Sequence, residues 1–467
     1  MCRVNRKMVG IGCVLVVLIL VIAATPYVLG VRVETEFRAG VNEAATQIGY
    51  PIEVVEYDRG WLYSHAVTRL ELDDRAIDIE NDITHGPFLV LGWARIHSQM
   101  PKDATPELRH LFEASPLTAT TTIGFGDRMS AEIQSPSFDK GIPDEPGVHI
   151  VWKGAQARYV RSGNRVDIEM NAPGVEIDDH DKHTVFDDLS VTASGSAIPN
   201  RSEPDVQIDW DSAVKARVGR FRVYDDAGTF GLDYGMQLDV NTANGDNDTV
   251  DTHLAYRLNK LTLRTADPGV EPVELKVDEA HLNFDLTGLM ARPLEETIRA
   301  LDTLYAEDYS HQEIQAGTMR IFAEQMPAVL SGTPHARLAI PPVKTGYGEF
   351  SGEIKTELKS PDILEGRMAE MARESPLFGL FQRWVFDGHA FVDERLVQTI
   401  IDDVSQGKLG ASQSFQAQLD TLVRQQFLQR KDDQIGVSMY FDRDTMTLNG
   451  QEIPPRQIAP LFNSLIE

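Results

Sequence analysis

Cysteine is nearly absent. Of 467 residues only Cys2 and Cys13 are cysteines, and both precede the polar body of the chain. That body cannot close a disulfide on itself, and a chain of this length can build its core from apolar burial alone. The same absence excludes a thiol nucleophile and cysteine-ligated zinc from the body. Positive charge is also scarce: 44 Lys and Arg stand against 71 Asp and Glu, a formal charge of −27. Such a surface is repelled by nucleic acid and by anionic head groups, so no nucleic-acid partner is expected, and most of the acidic residues read as solvated surface. No low-complexity linker, charge block or fixed-period repeat divides the body. Motifs that announce chemistry are missing too. There is no H-E-x-x-H, no glycine-rich phosphate loop with lysine, no dinucleotide fingerprint, and no G-x-S-x-G around Ser64.

What is present begins with Val9–Leu29, a stretch without charge. As a helix its 21 residues would span about 31 Å, enough to cross a bilayer core. Arg3, Arg6 and Lys7 precede it, so the positive-inside bias keeps residues 1–8 cytoplasmic and sends the body across. A cleaved signal peptide is the rival reading. Ile22 and Val21 stand two positions before Ala24 and Ala23, where signal peptidase prefers small residues, and the apolar run is long; an uncleaved signal anchor is therefore expected. A juxtamembrane segment, residues 30–50, follows. Phe37, Val41 and Ile48 recur at helical spacing, and Gly49-Tyr50-Pro51 stops the helix.

Residues 51–290 carry a β signal. Ile52 and Val54 open a strand, Asp58-Arg59-Gly60 reads as a turn or bulge, and Ala66, Thr68, Leu70 and Leu72 alternate with polar neighbours. Arg161-Ser162-Gly163-Asn164 and Asp225-Asp226-Ala227-Gly228 join further strands as hairpins. Residues 291–467 turn helical. Helices are expected from Pro293 to Tyr305, Gln312 to Leu330, Pro361 to Phe386, Asp393 to Val404 and Ser412 to Gln429, with strands over Ala336–Leu358, Ile435–Phe441 and Thr445–Leu448. The expected fold class is α+β: an N-terminal transmembrane helix, then an elongated body built on a curved antiparallel meander, with helices concentrated in the C-terminal half and packed on the same sheet.

One group of residues carries a resemblance. The anchor and short helix, followed by Tyr57-Asp58-Arg59-Gly60-Trp61-Leu62-Tyr63-Ser64, then His85-Gly86-Pro87 and finally Thr447-Leu448-Asn449-Gly450-Gln451, resemble the YdgA-like family of bacterial envelope proteins of unknown function. The resemblance runs over almost the whole chain and implies an inner-membrane-anchored periplasmic protein. It implies no catalytic residues. Tyr57, Arg59, Gly60, Trp61, Ser64, His85, Gly86, Pro87, Asn449 and Gly450 are the motif positions and the candidate ligand residues.

Each chemical candidate has a plainer rival. Asp178-Asp179-His180-Asp181-Lys182-His183 could hold a divalent metal, but a solvated turn explains it better. Asp239–Asp248 has calcium-loop composition in the wrong register, since Val240 would have to be the first ligand. His85 could be a base or a ligand, and a structural turn is preferred. Arg59 and Trp61 could form a cation–π contact or meet a head group, and edge packing beside a bulge is preferred. No metal, no cofactor and no enzymatic role are expected. The expected function is that of a membrane-anchored envelope protein that binds lipid or another amphiphile along a curved sheet. An envelope scaffold or protein-interaction module, self-association included, is the alternative, and a hydrolase of envelope material ranks last. By architecture this resembles anchored envelope proteins of the AsmA-like kind, which are implicated in lipid handling.

Overall fold

The computed structural model describes residues 30–42, 45, 50–72, 75–85, 92–125, 128–142, 145–196, 209–265, 273–306, 311–358, 384–404, 409–442 and 445–453. The expected anchor Val9–Leu29 and the residues Gly86 and Pro87 lie outside them. Among the described residues no helix is long and apolar enough to cross a membrane. The chain divides into two units, Met1–His180 with Ser190–Ala197, and Asp181–Leu189 with Ile198–Glu467.

In the first unit a helix, α1 (residues 30–42), leads into an antiparallel meander. Its strands are β1 (Ile52–Arg59), β2 (Tyr63–Leu72), β3 (Arg75–His85), β4 (Ala94–Gln99), β5 (Thr118–Ile123) and β6 (Arg128–Ser135), each paired with the next. Period-two alternation in β2 and β3 decides which side is wet. Ala66, Ile83 and Ile96 bury one face against Val33 and Phe37 of α1. The other face carries cross-strand polar pairs, among them a two-pronged Arg69–Asp78 bridge at 2.7 and 2.9 Å. Four polar residues, Ser64, Thr68, Asn81 and His85, are admitted to the covered face. Buried Asn81 donates to the Ala66 and Ile79 carbonyls and to Thr68 Oγ1, and accepts from Ser98 Oγ at 2.7 Å.

Beyond β6 the strands come in broken pairs. β7 (Phe138–Gly141) continues the line of β6, and β8 (Val148–Trp152) continues into β9 (Ala155–Ser162). β10 (Arg165–Asp179) runs unbroken along both β8 and β9. The breaks at Pro136-Ser137 and Lys153-Gly154, and the stretch Ala172-Pro173-Gly174 where β10 passes from β9 to β8, line up as one crease. Proline has no N–H to donate to a ladder, and Gly154 takes a φ of 87°, which favours glycine. A short helix, α2 (Pro106–Leu111), is capped by Thr105, and the Phe112 that follows it meets the edge of Phe138 at 4.8 Å.

β11 (Lys182–Ser196) gives residues 182–189 to the second unit and the rest to the first. The second unit then runs β12 (Ser212–Asp225), β13 (Phe230–Asn244), β14 (Thr249–Thr265), β15 (Val273–Val277), β16 (Ala280–Met290), β17 (His335–Thr345), β18 (Gly348–Leu358), β19 (Trp384–Asp393), β20 (Gln429–Lys431), β21 (Gln434–Asp442), β22 (Thr445–Leu448) and β23 (Gln451–Ile453). Its main antiparallel order is β12-β13-β14-β16-β17-β18-β19-β21-β22-β23. Two helices, α3 (Ala291–Ala306) and α4 (His311–Val329), interrupt it between β16 and β17. Two more, α5 (Glu394–Val404) and α6 (Leu409–Arg424), interrupt it between β19 and β20. Antiparallel meanders with helices gathered in the C-terminal half match the α+β part of that expectation.

Two expected helices end differently. Trp384–Phe386 are strand, because Val385 and Phe386 pair with Glu357 and Thr356 of β18. Gln429 opens β20 and pairs with Gly436. In both places cross-strand partners outweigh the local helical pattern. Residues 359–383, where one of these helices was expected to begin, lie outside the described residues.

Candidate functional site

The N-terminal motif gathers where α1 meets the sheet. Arg59 pairs in register with Ser64, and Ser64 with Ile83, so the turn after β1 sits beside the end of β3. Ser64 and His85 are buried, at 5% and 1% exposure, and Ser64 Oγ shares a hydrogen bond with His85 Nε2 at 3.0 Å. The His85 ring lies against Gly30 so closely that a β-carbon on Gly30 would stand 2.8 Å from Cε1. Tyr57 packs on Phe37 at 6.1 Å between ring centres, and the Arg38 guanidinium lies over its ring. Burial raises the pKa of the Tyr57 hydroxyl, and the neighbouring Ser64 hydroxyl pulls the other way. Arg59 Nη1 reaches Glu34 at 3.3 Å, and Glu34 also pairs with Arg38. The Gly60 backbone passes close under Tyr63, where a β-carbon would come within 2.2 Å of the Tyr63 carbonyl oxygen. Trp61 stands 52% exposed at the turn.

A serine hydroxyl on a histidine nitrogen is the arrangement of a nucleophile with its base. Here both partners are buried, and Gly30 of α1 lies against the His85 ring. The cluster fastens α1 to the sheet. Tyr57, Arg59 and His85 meet α1 at Phe37, Glu34 and Gly30, and Ser64 holds the His85 ring; no spacing rule in the sequence announces this.

The C-terminal motif does a similar job in the second unit. Asn449 and Gly450 take φ of 51° and 80°, the left-handed pair that a two-residue hairpin between β22 and β23 requires. The Asn449 side chain also accepts from Ser438 N at 2.9 Å and donates to the Gln426 carbonyl at 2.8 Å, tying the chain after α6 to β21. The acidic His180–His183 turn separates its imidazoles. His180 bonds Asp179, whereas His183 bonds Asp226 and stacks on Tyr224. No group of three metal-ligating side chains converges among the described residues. Gly245 to Asp248 form the turn between β13 and β14.

The feature that sequence motifs do not mark is the face of the second unit's sheet. Cross-strand partners place Val214, Val240, Leu254, Phe284, Leu338, Ile354, Gly388 and Met439 in one row across eight strands. A neighbouring row runs Ala216, Leu238, Tyr256, Leu282. Farther along the same strands, Phe350, Val392 and Ile435 form a further row on that face. At about 4.8 Å per strand the row is about 34 Å wide. The opposite face is charged. Arg220 forks onto Asp233 at 2.9 and 2.8 Å, His253 meets Asp285 at 2.7 Å, and Glu353 takes both Arg337 and Lys355.

The apolar face is only half buried. Ile354 is 48% exposed and Val214 37%, while most of the row is intermediate. Partial burial on this face raises the pKa of the Tyr256 hydroxyl, helped by Tyr234. Two of the hollows among the described residues lie elsewhere. One of about 620 Å³ sits over the crease of the first unit, lined by Gln134, Pro136, Lys153, Gln156 and Asn171 among others. The other, about 460 Å³, opens on the charged face between Asp285, Arg337, Lys355 and Asp387.

Fold and site define a class: an α+β protein of antiparallel meanders whose sheets are apolar on one face and charged on the other. The chain matches a bacterial protein family of unknown function (DUF945) over residues 5–456, and it belongs to that family. No curated protein and no solved structure matches it.

Proposed function

We propose that this protein works in the bacterial cell envelope, held at the inner membrane by Val9–Leu29 with its body in the periplasm, and that the second unit binds the acyl part of lipids or other amphiphiles. The observation that carries this reading is the row from Val214 to Met439, apolar across eight strands and left half open. A face that wide exceeds the roughly 15 Å depth of one leaflet, half of a core of about 30 Å. An acyl chain laid along it would cover apolar surface worth about 25 cal/mol per Å². The charged reverse face keeps the other side in water, so ligand and solvent are offered different sides.

The test is lipid analysis of the full-length protein, extracted from membranes and washed in detergent. Stoichiometric amphiphile that disappears in Ile354→Asp and Leu338→Asp, with circular dichroism unchanged, is expected. Equal lipid in wild type and both variants marks a bilayer annulus only, and overturns the reading.

A second reading has its own observation. Tyr305, Met319 and Phe322 are 60%, 70% and 40% exposed on α3 and α4, and Tyr305 reaches Thr318 across the helix pair. Such a patch suits a protein partner or a second copy of the chain. A dimer by mass photometry that Met319→Asp dissolves would favour it.

A further inference from the structure

One end of the first unit's sheet is decorated differently from the rest. The registers Arg59 with Ser64, Tyr63 with Thr84, His85 with Ala94, Ala94 with Ile123 and Ile123 with Met129 bring the turns after β1 and β5 and the start of β4 to the same end. The opposite end holds Leu72 with Arg75 and Gln99 with Thr118. At the first end Trp61 is 52% exposed, Tyr63 67% and Phe125 61%. Trp93 stands there too, 6.2 Å from Phe125 between ring centres, with the Arg32 guanidinium 3.9 Å above it.

Helix α1 starts at this same end, because Gly30 lies on the His85 ring and Glu34 pairs with Arg59. The 21-residue uncharged stretch Val9–Leu29 is joined to Gly30 directly. Whatever apolar phase that stretch enters is therefore one peptide bond from the aromatic end of the sheet. Exposed tryptophan and tyrosine beside arginine is the composition that settles at the level of lipid head groups, where ring bodies are dry and polar tips wet. A chain carrying −27 gains nothing from an anionic surface by net charge, so the contact must be local and apolar.

We propose that the end of the first unit bearing Trp61, Tyr63 and Phe125 rests in the head-group layer of the membrane that Val9–Leu29 enters. The chain then touches the bilayer twice, once through the segment and once through the sheet. The contact fixes the direction of the strands relative to the membrane instead of leaving the body on a swivel. The proposal rests on the reading of Val9–Leu29 as membrane-entering, and the experiment separates the two.

Full-length protein with Cys2→Ser and Cys13→Ser receives one new cysteine at a time: Tyr63→Cys, Phe125→Cys, or Glu71→Cys near the opposite end. All three positions are exposed, so the changes spare the core. Each variant is labelled with a polarity-sensitive fluorophore and reconstituted in phosphatidylethanolamine and phosphatidylglycerol vesicles, some carrying a nitroxide at the head group. Quenching at 63 and 125 several-fold stronger than at 71 is expected. Equal, weak quenching at all three, in protein that resists alkaline carbonate extraction, overturns the second contact and leaves the anchor standing. Release by carbonate removes the anchor and overturns the proposal with it.

Discussion

Ser64 and His85 show how far one hydrogen bond can matter when both partners are buried. Ser64→Ala removes the Oγ that meets His85 Nε2 at 3.0 Å inside a packed interface. A lost bond of this kind costs about 1–3 kcal/mol, so the denaturation midpoint should fall at an unchanged slope in urea. Gly30→Leu should do something different. Its side chain has no space beside the His85 ring, so α1 should lift from the sheet, and limited proteolysis should then cut within residues 30–50 while the strands survive. A Ser64→Ala chain as stable as wild type would overturn this role for the pair. The motif residues could be read as special in the sequence. Their partner could not, since Gly30 and His85 are 55 positions apart and only the docking of α1 brings them together.

At the level of elements, the second unit's sheet depends on bulges that keep its apolar face continuous. Between β12 and β13 the register shifts at Val218 and Phe221, and between β13 and β14 at Gly235 and Met236. Without those shifts the strands would turn their apolar residues to the wrong side. Gly235 permits the close approach, for a β-carbon there would stand 2.6 Å from the Gly219 carbonyl oxygen. Gly235→Val should therefore destabilise by about 1–3 kcal/mol, read as a lower melting temperature.

The charged face has a pH signature. The Glu353 carboxyl titrates below its usual 4.5, chiefly through its hydrogen bond with Lys355 and then that with Arg337. Its contribution is present above the unfolded value and is lost as pH falls through the lower folded one. Glu353→Gln should accordingly lose stability at neutral pH yet decline less steeply than wild type below pH ~4.5, checked by urea midpoints across acid pH. Tyr57 and Tyr256 act at the other limit. Their raised values make stability fall as pH climbs past 10.0, and Tyr256→Phe should flatten part of that fall.

For the whole molecule, a ligand that occupies the apolar face must stabilise the chain by mass action. Adding back the extracted amphiphile to delipidated protein at about 100 times its dissociation constant should contribute about 2.7 kcal/mol and raise the melting temperature in step with concentration. Ile354→Asp should show no such rise. A melting temperature indifferent to amphiphile in the wild type would leave the exposed patch on α3 and α4 as the stronger functional surface.

The amino-acid order by itself determined that the body is free of disulfides, acidic and β-rich, with helices late in the chain. These are properties of composition and of short-range alternation, where a residue's two nearest neighbours already set which side faces water. The Asn-Gly pair at 449–450 is also the kind that a left-handed two-residue turn favours, so that hairpin is legible in the sequence. What only the tertiary structure decided depends on distant partners. Strand registers joined Val214 to Met439 in one row, strand pairing converted Trp384–Phe386 from helix to ladder, and the seating of α1 made a clasp of Tyr57, Arg59, Ser64 and His85. Alternation tells which residues of a strand share a side. It does not tell which strands lie next to one another, and a continuous face exists only once that is settled.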